Sequence, residues 1–487
     1  MTKVLVTGAT GYIGGRLIPK LIENGHQVRA MTRKRDRLAE RTWLGAIEVA
    51  TGDALEPASL ADAMRDIEVA YYLIHSMSGS DQFHQRDLQA AHNFGQAAAQ
   101  AGVRRLIYLG GLGDPESDLS QHLRSRQETG KALQAAGVPV TEFRAGIVVG
   151  AGSLSFEMIR NLAELIPIMI APRWVSTKIQ PIAIQDVLAY LVDALETPAS
   201  QDKIIEIGGS DVLTYGEMLL GYSEIRGLKR FIIPVPVLTP RLSSYWVHWM
   251  TPVPARIARP LIEGLRNEVI VRDKNAQEIF PGITPMDYRA AVEKALERLD
   301  AGQVATTWSD SLASSGSIAE PVALTVQEGM IIEKRQLDVE ANPVELYRVF
   351  SRLGGQTGWL YANYLWQLRG MLDRLIGGAG FRRGRRSPTD LRVGDAIDFW
   401  RVEANEMNHR ILLRAEMKVP GRAWLEFQVQ PLDNSKSRLT QNAYFAPKGL
   451  FGFLYWYLIY PIHSLIFSGL INSIANRAKS KVEESGS

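Results

Sequence analysis

The stretch KVLVTGATGYIGG, residues 3–15, reads as a short apolar strand, a turn carrying Gly8, Gly11 and Gly14, and the opening of a helix. A GxxGxxG spacing is weak alone and gains meaning between a strand and a helix. Glycines let the main chain bend tightly and approach a pyrophosphate, whose charge then rests on the helix N-terminus. Thr7, Gly8, Thr10, Gly11, Tyr12, Ile13 and Gly14 are the expected dinucleotide-binding residues. The competing reading is a structural glycine turn.

Working outward, apolar runs recur at 3–7, 27–31, 47–53, 69–75, 105–111 and 140–146. They are rich in Val, Ile and Tyr and alternate little with polar residues, as parallel strands covered on both faces do. Helical patterns fall between them at 12–24, 57–65, 84–101 and 121–136. The alternation predicts an α/β fold, a Rossmann-type doubly wound parallel sheet. Farther on, Ile184, Val187, Leu188, Leu191, Val192 and Leu195 form one helical stripe. The Pro-rich, apolar 234–260 reads as a substrate-side subdomain or lid.

The second strand ends in MTRKRDR. A cofactor with a bare ribose hydroxyl would favour Asp or Glu there. Arg33 and Lys34 instead suit a 2′-phosphate, which guanidinium binds bidentately. The expected cofactor is therefore NADP rather than NAD, against the alternative of a solvated basic turn. Asp53, after the third strand, is placed to accept from an adenine amino group.

With 487 residues, the chain exceeds one ordinary core. No cysteine is present, which excludes disulfides, thiolate nucleophiles and cysteine-ligated metals. The eight histidines lack metal-site spacing, so no metal is expected. A net charge of +3 is no nucleic-acid signature. Because a strand begins at residue 3, a secretory signal has no room in this reading, and a cytoplasmic address, with membrane association open, is the expectation.

Residues 301–322 are small, polar and aperiodic and read as a linker between a first region, 1–300, and a second, 323–482. The second has an extended start, a helix around NPVELYRVF and strand-like runs at 395–403, 409–418, 422–430 and 437–445, an α+β pattern.

Together TGATGYIG, the GD at 52–53, LIYLGGLG and AAGVPVTEFRAGIVVG resemble the atypical, extended-like branch of the short-chain dehydrogenase/reductases. GWLYANYLWQLRG and GLFGFLYWYLIYPIH resemble an uncharacterised domain found fused to such reductases, whose expected fold is START-like, a helix-grip enclosing an apolar cavity. The first resemblance implies a Ser and Tyr-xxx-Lys catalytic set. Here the tyrosine slot holds His122, the lysine slot Arg126, and the serine slot falls in Gly110-Gly111. His122 and Arg126, four apart on a helix, share a face. A histidine can donate the proton that carbonyl reduction requires, and an arginine can hold ribose hydroxyls or an oxyanion. The alternative is a solvated basic turn. His75, in YYLIHSM with Tyr72 and Ser76, is a second candidate donor. GAGSLSFEMIRNL (150–162) reads as a helix over the substrate side, capped by Ser153 or Ser155.

Gly449–Asn476 holds no Asp, Glu, Lys or Arg over 28 residues. Three readings stand: a transmembrane helix, a helix buried against the C-terminal sheet, or a peripheral lipid contact. Arg382, Arg383, Arg385 and Arg386 form a basic loop that suits anionic headgroups or plain solvent. Two functions follow: an NAD(P)-dependent oxidoreductase acting on a hydrophobic carbonyl, quinone or lipid-like molecule, or a non-catalytic NAD(P)-binding sensor or lipid-binding scaffold. A homodimer is compatible with either.

Overall fold

The computed structural model describes residues 1–38, 41–74, 81–171, 173–235, 264–300, 322–327, 329–375, 391–433 and 435–485. His75 and Ser76, residues 236–260 of the Pro-rich stretch, 301–321 of the linker and the four arginines of the basic loop lie outside them. The chain forms two compact units, Met1–Gly316 and Ser317–Ser487.

In the first unit, strands β1 (Lys3–Val6), β2 (Gln27–Thr32), β3 (Glu48–Thr51), β4 (Val69–Tyr72), β5 (Arg105–Gly111), β6 (Val140–Ala145) and β7 (Ile204–Ile207) make one sheet ordered β7-β6-β5-β4-β1-β2-β3. All pairings are parallel. Helices α1 (Gly14–Glu23), α2 (Pro57–Ala63), α3 (Asp81–Gln100), α4 (Gln121–Gln134), α5 (Leu154–Leu165) and α6 (Ile184–Asp193) follow successive strands or their extensions. β4, β5 and β6 are buried throughout, which explains their unbroken apolar spelling. Apolar cores form on both faces, one with Val4, Val6, Leu17 and Val187, the other with Leu5, Ala70, Phe94 and Leu106. This is the Rossmann-type sheet. Strand order reverses between β1 and β4, so the crevice at their C-terminal ends is the ligand position that parallel-sheet geometry creates.

The second unit is α+β. Strands β8 (Val322–Gln327), β9 (Met330–Val339), β10 (Ala396–Ile397), β11 (Trp400–Glu406), β12 (Arg410–Ala415), β13 (Gly421–Pro431) and β14 (Ser437–Pro447) form an antiparallel sheet ordered β8-β9-β14-β13-β12-β11-β10. Helices α7 (Pro343–Phe350) and α8 (Asn363–Leu375) separate β9 from β10. A long helix, α9 (Gly449–Ser485), follows the last strand. It packs on the sheet through Trp456, stacked on Phe445 with centroids 5.3 Å apart. Arg335 of β9 donates to the hydroxyls of Ser468 at 2.6 Å and Ser464 at 2.9 Å on that helix.

Candidate nucleotide and substrate site

The bend after β1 is built by close approach. Gly8 has φ +65°, and a Cβ on it would lie 2.5 Å from the Leu73 carbonyl oxygen. A Cβ on Gly14 would lie 2.4 Å from the Gly8 carbonyl oxygen, so only glycine lets α1 start this close to the strand. The Gly11 amide donates to the Gly8 carbonyl at 2.8 Å, closing the turn. No side chain caps the N-terminus of α1. A bare helix start behind a tight glycine turn fits a pyrophosphate.

The expected loop residues divide into two kinds. Thr10, Gly11, Tyr12 and Ile13 are partly exposed around the bend, and Tyr12 and Ile13 line a cavity. Thr7 is fully buried: its hydroxyl donates to the Tyr71 carbonyl at 2.9 Å and accepts from the Leu73 amide at 3.0 Å. Thr7 thus pins β1 to β4 and shapes the bend from behind. Arg16 of α1 carries its guanidinium 4.1 Å from the Tyr12 ring centroid and donates to the Ala151 carbonyl at 2.9 Å.

At the end of β2, Arg33 and Lys34 are exposed beside the bend's strand, as an anion contact requires. Asp53 is half-buried, and one carboxylate oxygen accepts from the Leu55 amide at 3.0 Å. That bond orients its side chain in a turn after β3.

A cavity of about 280 Å³ extends from the bend. Tyr12 and Ile13 form one end. His122, Leu123 and Arg126 of α4 form a side, with Leu109, Gly110 and Gly111 from the end of β5. Leu154, Met158, Ile159 and Leu162 of α5 supply an apolar wall. The 150–162 segment therefore covers the cavity as its sequence suggests. Ser153 does not cap α5; its hydroxyl donates to the Val148 carbonyl at 2.7 Å instead.

His122 and Arg126 do share a face and meet in this cavity. Arg126 is anchored, donating from Nη2 to the Leu109 carbonyl at 2.5 Å, while its own carbonyl accepts from the Tyr108 hydroxyl at 2.8 Å. Its Nε is buried without a hydrogen bond. A Cβ on Gly111 would lie 3.1 Å from Arg126 Cδ and 3.2 Å from Leu123 Cδ2. A side chain in the expected serine slot would crowd this arginine, which would have to give by a few tenths of an ångström, so the two departures touch one another. Tyr72, placed by its sequence near the site, is in the core against Phe94 at 5.1 Å, and burial raises its hydroxyl well above the ordinary range.

Sequence reasoning missed the deeper parts. Beneath the cavity, buried Glu142 on β6 accepts from Arg144 Nε at 2.6 Å. Burial raises its carboxyl above the usual carboxylate range, with Arg144 and then Arg126 pulling the other way. Tyr215, Leu219, Leu265 and Val269 complete the lining. No local motif announces them, since they arrive from segments distant in sequence.

Comparison with known proteins fits this geometry. Residues 8–145 match the NAD(P)H-binding family, and residues 330–470 match a family described as a protein of unknown function, DUF2867. The chain is 30% identical over 152 residues to an uncharacterized sugar epimerase of Bacillus subtilis, spanning 71% of that protein and 30% of this one. The chain belongs to the NAD(P)-binding epimerase–reductase family. It is also 27% identical over 240 residues to the ceramide reductase of Caulobacter vibrioides, covering 48% of this chain and 73% of that protein. Among solved structures, the triphenylmethane reductase of Citrobacter sp. superposes with a TM-score of 0.50 at 19% identity, covering 61% of this chain and 99% of that one, a likeness of fold. This member of the family binds a nicotinamide dinucleotide through its first unit and carries a DUF2867 domain as its second.

Proposed function

We propose that the first unit is an NADP-dependent reductase of a hydrophobic carbonyl, quinone or lipid-like molecule. The observation that carries this reading is the cavity that joins the glycine bend to His122 and Arg126 along an apolar wall. When bound, reduced nicotinamide supplies a hydride, and the chain must supply the accompanying proton. His122 is the side chain assigned to donate it to the substrate oxygen. Arg126, held by the Leu109 carbonyl, is assigned to steady the negative charge that grows on that oxygen. Arg33 and Lys34 are assigned to the 2′-phosphate, and Asp53 to the adenine side. His75 is the second candidate donor. The relative named ceramide reductase supports a lipid-like substrate, and the long helix on an antiparallel sheet supports a helix-grip reading of the second unit.

The test follows loss of NADPH absorbance with a panel of apolar carbonyls and quinones. Turnover is expected, with His122→Ala lowering it by roughly 10²–10⁴-fold at unchanged NADPH affinity. Tight NADPH binding without turnover on any of them would instead leave the non-catalytic sensor or scaffold. A loss confined to His75→Ala would move the proton donor there.

A further inference from the structure

The long helix α9 changes character along its length. Phe451, Leu454, Leu458, Ile462 and Leu465 recur every three or four residues and are 53–81% exposed, so one whole side of the first half is apolar and faces solvent. In the second half the apolar residues turn inward: Leu470, Ile474 and Ala478 are fully buried, while Asn472, Asn476, Arg477 and Lys479 are outside. The neighbouring helix α8 repeats the pattern. Trp366 points inward, 6.4 Å from Phe467 of α9, whereas Leu368, Met371, Leu372 and Leu375 are exposed. Scattered apolar residues on a surface are ordinary, but regular exposed apolar stripes on two helices of one unit are not.

From Lys448 to Lys479 every charged side chain is basic. Lys448 precedes α9, Arg374 sits in the last turn of α8, and Arg477 and Lys479 lie beyond the α9 stripe, all exposed. The acid of α8, Asp373, is fully buried and accepts from the Lys418 amide at 2.7 Å. From Gly449 to Lys479 there is no acidic residue.

We propose that the α8 and α9 stripes are a docking surface for an anionic lipid bilayer, with the second unit lying on the membrane and not through it. The exposed apolar stripe covers 14 residue steps, about 21 Å of helix, which is short of the ~30 Å hydrocarbon core. Spanning would also require pulling Leu470, Ile474 and Ala478 out of their packing. A second copy of this chain is disfavoured as occupant, because face-to-face stripes would bring Arg374, Lys448 and Lys479 against their own kind. Anionic headgroups complement those cations, and acyl chains complement the leucines. This inference does not depend on the reaction proposed above.

The test is sedimentation of the full-length protein with vesicles of phosphatidylcholine alone and with roughly 30% phosphatidylglycerol added. Binding to the mixed vesicles, weaker binding to the neutral ones, weakening by salt and release by alkaline carbonate are expected. The double variant Leu454→Glu, Leu458→Glu should lower partitioning at least roughly tenfold. Both side chains are more than half exposed, and circular dichroism and NADPH binding check that the variant folds. Protein remaining in the supernatant with mixed vesicles, or equal binding by the variant, would overturn the proposal. So would resistance to carbonate, which means a spanning helix. Self-association in the absence of lipid that the double variant abolishes would assign the surface to a second copy.

Discussion

Each of the two seven-stranded sheets buries a glutamate and an arginine two residues apart on one strand, Glu142 with Arg144 on β6 and Glu333 with Arg335 on β9. Strand periodicity places both pairs on a single face. In each, burial raises the carboxyl above its usual range against the pull of the arginine, and one carboxylate oxygen is buried without a hydrogen bond. The surroundings differ. Arg335 continues outward to Ser464 and Ser468, so its pair fastens α9 to the sheet. Glu142 lies instead among Arg144, Tyr108 and Arg126, below the cavity. The same chemistry braces a long helix in one unit and underlies a binding site in the other. Buried ion pairs are costly to split wherever they occur; what they support has to be read from their neighbours.

The sharpest way to break this comparison is Arg335→Ala. It strands Glu333 and releases two serines, and should cost about 3–5 kcal/mol. Hydrogen exchange should rise across 329–375 and 391–479 while the first unit stays protected. Loss of protection in both would show that the pair is not local to its sheet.

Acid tests the same helix more gently. Burial lowers His463 to about 4, with Arg369 adding to the effect. The unfolded chain protonates this histidine near its ordinary value, whereas the folded one waits until about pH 4. Between those values the unfolded state binds more protons, so stability falls as pH falls from about 6.5 to 4, by roughly 3 kcal/mol. Above that window the group contributes no pH dependence. Denaturant titrations of wild type and His463→Gln across it should differ in slope, with the variant flatter.

In the first unit, Gly111→Ser places a hydroxyl in the expected serine slot but crowds Arg126, whose Cδ would lie 3.1 Å from the new Cβ. A cost near 1–2 kcal/mol is expected from overpacking, along with reduced turnover. Removing the crowding atoms in Gly111→Ser, Arg126→Ala should recover part of that cost relative to Arg126→Ala alone, read by thermal melting. If the single variant melts like wild type, the steric coupling is wrong. The smallest effect is at the surface: Arg33→Ser with Lys34→Ser should weaken NADPH binding about tenfold and leave NADH unchanged, by calorimetry.

What the sequence makes legible follows burial. β4, β5 and β6 are covered on both faces and spell themselves as apolar runs; α4 announces the shared face of His122 and Arg126 by spacing alone. The seventh strand, Ile204–Ile207, is four residues long with a glutamate in it and does not stand out from its surroundings. Glu142 and Arg144 look like interruptions of a strand, because pairing across two residues is invisible until the surrounding helices bury them. The 28 uncharged residues of the tail left three readings open. The structure adds what composition cannot, since Leu470 and Ile474 are core while Leu454 and Leu458 are exposed.

Arg16 has a mechanical consequence. Its side chain leans on Tyr12 and reaches the carbonyl of Ala151, so it acts as a cross-brace between the glycine bend and the turn that launches α5. One side chain thus couples the nucleotide bend to the start of the cavity's apolar wall, and Arg16→Ala would uncouple them.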